Sequence, residues 1–396
     1  MQQAPPSASL HHFLNAETCN KITKLLIYTK EVYEGLLFII FLTIFLTVNV
    51  GQLECAFYCR ADSQSLISWS SIILARMNAT WGSSNEHQLL VEFLNRSPAT
   101  IAVETSIILL IGLIAIGGNL LVVISIFRNP SLRRTITNYF VLSLAMSDIM
   151  YPFTNLPFML AWSIKSTFTF KEGLWCQIQA IVSFSLIHVS ILTMALMAVN
   201  RFVRVCKTHK YNKWFNKKSS LVMLGTVWVA SYTYMTVNLT EKTLFYVRFE
   251  PQKIICGLSR SNKDFFSTVL MTLCLAFGLG FPFTVMGVCY YKIFKKIREH
   301  KRNIAPFSSD SNGSSLGMSV QEIKVTWTTF AVLIGYLLTW LPMLLIVVAS
   351  YFKDLPREVH MIVTYSMASS SAINPVIYGV LNPAFRKEYK KIIKWQ

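Results

Sequence analysis

Seven stretches of predominantly apolar residues follow one another after residue 100, each near the ~20 residues that an α-helix needs to cross ~30 Å of hydrocarbon. The pattern predicts helical spans at Ile101–Phe127, Asn138–Ile164, Trp175–Val199, Leu221–Leu239, Phe265–Ile293, Lys324–Tyr351 and Val359–Leu381. The fold class expected is therefore an all-α membrane protein, a seven-transmembrane helix bundle over residues 101–382. An eighth apolar run, Leu36–Val50, has only 15 residues and follows Lys21, Lys24 and Lys30. It reads as the core of a signal peptide, or as a signal anchor, within residues 1–50. Residues 51–100 are polar and rich in Ser and Asn, which predicts a short, flexible, glycosylated extracellular segment. Past the last span, Phe385, Tyr389, Ile392 and Ile393 fall on one stripe among lysines, so residues 383–396 predict a cytoplasmic amphipathic helix and tail in the membrane interface.

Charge fixes the expected orientation. The connections after spans one, three and five, together with the C-terminal tail, hold 22 basic and four acidic residues, which is the whole net charge of +18. Lys and Arg near span ends resist translocation, so this face is expected in the cytoplasm and the N-terminal flank outside. The basic surplus is thus topological. It suits an anionic lipid surface, whereas nucleic-acid binding would gather it on one soluble domain. Sequons at Asn78, Asn95 and Asn238 lie on the predicted outer side and are the expected glycosylation sites; Asn312 falls inside. Eight cysteines are too few for a disulfide scaffold and show no zinc-ligand spacing.

An ionised group at mid-membrane costs at least ~2.5–3.5 kcal/mol, so polar residues inside spans mark function. Asp148 is the acid placed deep in a span, at the end of the string LSLAMSD; span one holds GGNLL with Asn119, and span seven holds NPVIY from Asn374 to Tyr378. In these motifs the chain resembles rhodopsin-like G-protein-coupled receptors. The resemblance implies a polar core of Asp148, Asn119 and Asn374 able to hold a sodium ion, with Ser190 and Ser370 as further oxygen ligands. No other metal or cofactor is expected. It also implies a disulfide from Cys176 to Cys256, worth on the order of 4 kcal/mol for a loop of that length. Arg201 matches the family's switch arginine, and Glu322 the acid that pairs with it to hold the inner side shut, a bias of about 1 kcal/mol. Asn200 stands where an acid is usual, from which agonist-independent signalling is expected.

Pro282, Pro342 and Pro375 predict kinks in spans five, six and seven. Trp340-Leu-Pro342 resembles the family's toggle motif, with Tyr336 one turn inward, while Tyr290 and Tyr378 match the tyrosines that turn inward on activation. No cysteine follows Tyr378, so the common palmitoyl anchor is missing. Serines 308–319 of the third inner loop are the candidate phosphosites for arrestin regulation.

The ligand is less constrained. Ser183 stands where amine receptors carry an Asp, and Ala368 where opsins carry the retinal lysine. Asn200-Arg201, His209-Lys-Tyr-Asn-Lys and Tyr378-Gly-Val-Leu-Asn resemble melatonin receptors. In those receptors a fourth-span Asn bonds the ligand, which maps onto Asn238; the same residue begins a sequon, and the two roles exclude each other. Leu258 replaces the expected outer-loop aromatic, and basic outer-loop residues suit a peptide or anion as well. The ligand candidates are therefore Ser183, Asn238, Leu258 and Trp340, for a small molecule or a peptide. The reading is a plasma-membrane receptor, not an enzyme, that activates a heterotrimeric G protein. Its rivals are a seven-span transporter or channel and a receptor-like scaffold without coupling.

Overall fold

The computed structural model describes residues 84–164, 173–240, 245–260, 273–274, 276–304, 320–350 and 353–394, all within the second of two compact units, Ala75–Gln396. The Leu36–Val50 run, Asn78, Asn312 and serines 308–319 lie outside the described residues. Helix α1 (Ser84–Leu94) leads to α2 (Pro98–Arg128), and the short α3 (Pro130–Arg134) turns the chain into α4 (Thr137–Ile164). Then come α5 (Leu174–Cys206), α6 (Thr208–Trp214), α7 (Lys217–Thr240) and a hairpin of β1 (Phe245–Glu250) and β2 (Ile255–Arg260). The chain ends with α8 (Phe281–Ile304), α9 (Val320–Ala349), α10 (Arg357–Leu381) and α11 (Pro383–Ile393).

The seven long helices fall on the seven predicted spans: α5 and α8 run 7 and 11 residues past the predicted ends Val199 and Ile293, α9 stops at Ala349, two residues short of Tyr351, and residues 265–272 of span five lie outside the described residues. Five are long and apolar enough to cross a membrane by composition; α4 and α10 carry the polar interior instead, including Asp148, Asn155, Ser370, Ser371 and Asn374. Large apolar side chains turn outward, with Leu110 at 60 %, Phe153 at 72 % and Leu338 at 62 % exposure. Water would tolerate such a belt poorly, whereas lipid tails are its natural solvent. Helix α5 is the axle: 67 % of its apolar window is buried, against 17–33 % for the other four.

Local chemistry sets the helix ends and bends. Ser97 caps α2 by accepting the Thr100 N–H, with Pro98 at the first position; Asn129 and Asn382 cap α3 and α11 in the same way. Pro342 and Pro375 lie inside α9 and α10 as expected, and α4 adds Pro152 and Pro157. Span five bends through a π turn, Ala276–Gly280. Pro282 has no N–H to offer the Gly278 carbonyl four residues back, and His188 of α5 lies near Gly278. Residues 84–100 are not the flexible stretch their polar composition predicts, for α1 is helical and Phe93 is fully buried.

A disulfide joins Cys176 to Cys256, with Cα atoms 5.5 Å apart, and ties the hairpin to the outer end of α5. Glycine decides one close approach. A Cβ on Gly118 would lie 2.9 Å from Cγ of the rigid Pro375 ring, while one on Gly117 would meet nothing within 4 Å. Gly118→Ala is therefore expected to cost about 1–3 kcal/mol through overpacking. Gly117→Ala should be neutral or stabilising, since Ala favours a helix. Thermal unfolding of both variants in detergent micelles checks this; equal midpoints would contradict it.

Candidate functional site: a polar core and an arginine cluster at one end of the bundle

Asp148 is 3 % exposed, midway along α4. Asn374 of α10 donates Nδ2–H to its Oδ2 at 2.8 Å, and Ser371 lines the cavity beside it. Asn119 of α2 donates to the Ser371 carbonyl at 2.8 Å and to Ala115 at 2.9 Å, stitching α2 to α10. Ser147 and Ser190 meet through their hydroxyls at 3.0 Å. Ser147, Asp148, Tyr151, Ser190, Tyr336, Ser370 and Ser371 line one cavity with about 10 Å³ of room for a water-sized body, near the least that such a body needs. The carbonyl oxygens of Asn119 and Asn374 are buried with no hydrogen-bond partner. All five core residues expected from the sequence thus lie in one contact network or line one cavity. Ser147 and Ser371 belong to it and were missed, because serines abound in these helices and nothing in their spacing marks two of them.

At the inner end, the pairing expected of Arg201 requires correction. Glu322 Oε1 accepts the Nε–H of Arg204 at 2.9 Å, so the ion pair seen across the third and sixth spans uses the arginine three residues farther on. Arg201 is turned into the bundle, 5 % exposed, with Nη2 donating to Asn200 Oδ1 at 3.1 Å. It remains within electrostatic reach of Glu322. The cause is geometric: the neutral Asn200 engages Arg201 beside itself, and Arg204 sits a turn nearer the water, where α9 begins. Asn200 is a hub, accepting from Thr137 at 3.0 Å and donating to the Tyr211 hydroxyl at 3.3 Å. Tyr211, on the short α6, carries Arg204 over its ring at 4.7 Å.

Aromatic pairs flank the core on both sides. Trp340 stacks on Tyr336 at 5.3 Å, two residues before Pro342. Tyr290 is buried and meets Phe330 edge-on at 5.1 Å. Tyr378 is buried and stacks on Phe385 of α11 at 5.4 Å. Glu388, also missed in sequence, accepts from Asn129 at 3.2 Å and so fastens α11 to α3. Trp228 donates to Ser143 at 3.0 Å, a packing bond between spans four and two.

The ligand candidates sit in the outer half. Ser183 donates to Asn155 Oδ1 at 2.7 Å, and Gln179 reaches the same oxygen. Asn238 is half-buried inside α7 and donates to the Tyr234 carbonyl of its own helix at 2.7 Å. Leu258 lies on β2 opposite Val247. Asn155 and Gln179 complete a buried polar cluster that sequence reading passed over, because single amides in apolar helices carry no motif.

The profile of the family described as "7 transmembrane receptor (rhodopsin family)" matches residues 118–378. Melatonin receptor type 1A of Mus musculus is 28 % identical over 303 residues, covering 75 % of this chain and 82 % of that receptor. Melanopsin-B of Xenopus laevis is 27 % identical over 73 % of this chain and 54 % of its own length. The crystal structure of squid rhodopsin superposes with a TM-score of 0.65 at 21 % identity, covering 76 % of this chain and 87 % of that one, a likeness of fold. With the profile spanning well over half of its length, the chain belongs to the rhodopsin family of seven-transmembrane receptors.

Proposed function

We propose that this G-protein-coupled receptor sits in the plasma membrane with its N-terminal flank outside and its C-terminus in the cytoplasm, binds a ligand in the outer half of the bundle, and opens inward to a heterotrimeric G protein. The observation that carries the reading is the inner switch: a buried Arg201 beside a cross-bundle Arg204–Glu322 pair, below three proline-bent spans. With Arg204 and Glu322 side chains 39 % and 28 % exposed, the pair biases the closed state by about 0.5–1 kcal/mol and does not lock it. A ligand that prefers the open state by ~1–3 kcal/mol then moves the population usefully. The basic face of α11 suits anionic lipid, and arrestin is a further partner in this reading. Melatonin, peptides and small acids form the panel to test, the first because of the mouse relative's name.

The polar core fits a sodium ion, since one carboxylate and several hydroxyls line its cavity and a hard cation wants several oxygens. When bound, the ion would hold α4 and α10 around Asp148 and favour the closed bundle.

Two measurements follow. With purified receptor in nanodiscs and purified G proteins, nucleotide exchange should accelerate without ligand. Glu322→Ala and Arg204→Ala should raise that basal rate about 2- to 5-fold, and Arg201→Ala should bring it to the receptor-free rate. No acceleration over receptor-free controls with any G-protein class, agonist panel included, would sink the coupling. NaCl should lower basal exchange relative to equal KCl in the wild type and not in Asp148→Asn. Equal responses to both salts in the wild type would remove the sodium site.

A further inference from the structure

Residues 93–97 cross from α1 to α2 as a strap over the outer end of the bundle. Phe93 is fully buried and lies edge-on to Phe249 of β1 at 5.7 Å, and Phe249 lies 5.0 Å from Trp162 of α4. Arg96 holds the strap down with three donors: Nε to the Phe93 carbonyl at 2.9 Å, Nη2 to the Ser163 carbonyl at 2.9 Å, and Nη1 to Glu104 Oε2 at 2.7 Å. Glu104, on α2, also receives Arg357 from the start of α10, through Nη1 to Oε1 and through Nη2 to Oε2 at 2.9 Å. The three side chains are 2 %, 7 % and 2 % exposed. One buried carboxylate therefore joins an element outside the bundle to the first residue of span seven.

The hairpin completes the cover. Its turn crosses to α10, where the Thr364 hydroxyl donates to the Lys253 carbonyl at 2.6 Å. The next residue, Ile254, is fully buried and has φ of 53°. A β-branched residue in the left-handed region persists only where its surroundings over-determine it. A turn that merely connected two strands would not need such a seat.

The two arms of the Glu104 cluster are unequally held. Arg96 donates to two partners besides Glu104, whereas Arg357 makes its hydrogen bonds to Glu104 alone, and its buried Nε–H has no partner. Phe93 lies under both guanidiniums, 4.1 Å from Arg96 and 5.7 Å from Arg357. Lifting the strap thus takes a ring face from Arg357 as well as loosening Glu104. Helix α10 carries Pro375 in its interior, where the missing N–H and the ring give a hinge about which the outer part can move separately from the inner part.

We propose that Glu104 is the latch of a lid: strap and hairpin turn close the outer mouth, and the mouth opens when Glu104 and Arg357 part. The receptor reading enters only in saying that this mouth faces the exterior. A thiol introduced by Ser183→Cys, at a site 5 % exposed in the outer half, reports the opening. The full chain in nanodiscs, accessible from both faces, is treated with a bulky water-soluble maleimide, and the signal is taken as the increment over the same background without Ser183→Cys. Glu104→Gln, Arg96→Ala and Phe93→Ala should each speed labelling roughly tenfold, a shift of ~1.4 kcal/mol in the opening equilibrium. Equal rates in parent and variants that melt cooperatively overturn the latch. Should Glu104→Gln fail to fold, Arg96→Ala and Phe93→Ala decide, because both lie outside the long helices. Nucleotide exchange is measured separately: a labelling difference without exchange supports the lid and counts only against coupling, and exchange without a labelling difference does the reverse.

Discussion

Inside hydrocarbon a polar side chain has no water to turn to, so it must find its partner on another helix, and that pairing fixes which helices touch. The bond from Asn374 to Asp148 is the one on which this bundle turns. It ties α4 to α10, the two long helices that fall outside the most apolar set, and Asn119 extends the tie to α2 through the Ser371 carbonyl. Around that knot the packing is dense enough that a single added methyl on Gly118 would collide with Pro375. Large apolar side chains on the outer faces of the helices enclose that knot.

The knot is hydrogen-bonded at its centre and incompletely satisfied at its edge. Buried carbonyl oxygens of Asn119 and Asn374 have no hydrogen-bond partner, while Tyr378, one turn beyond Asn374, is held by ring stacking on Phe385. At the inner end the holding pair is half-exposed and shared among Arg204, Glu322 and the Tyr211 ring. Contacts worth little each, placed where proline-bent helices meet water, make a bundle that can be tipped by the differential affinity of a ligand.

Much of this was legible in the chain. Apolar length placed seven helices to within a few residues at most described ends, since a bilayer demands that length and little else. The distribution of Lys and Arg supplied the expected orientation, and the Asp148, Asn119 and Asn374 strings marked the polar core because such residues are costly in lipid. What escaped has a physical cause. Arg201 and Arg204 are one turn apart on the same helix, and only the rotation of α5 and the neutrality of Asn200 decide which of them meets Glu322. The strap was read as flexible because its composition is polar; its order comes from partners at Glu104, Ser163 and Phe249, remote in sequence or on other elements.

If the receptor opens as proposed, the inner ends of α5 and α9 part when a G protein engages. Spin labels at the exposed positions Lys207 and Lys324 report that parting, with the distance read by double electron–electron resonance in nanodiscs. The distance should lengthen on adding nucleotide-free G protein and return when GTP releases it. A distance distribution that stays the same with G protein demonstrably bound would rule out inward opening.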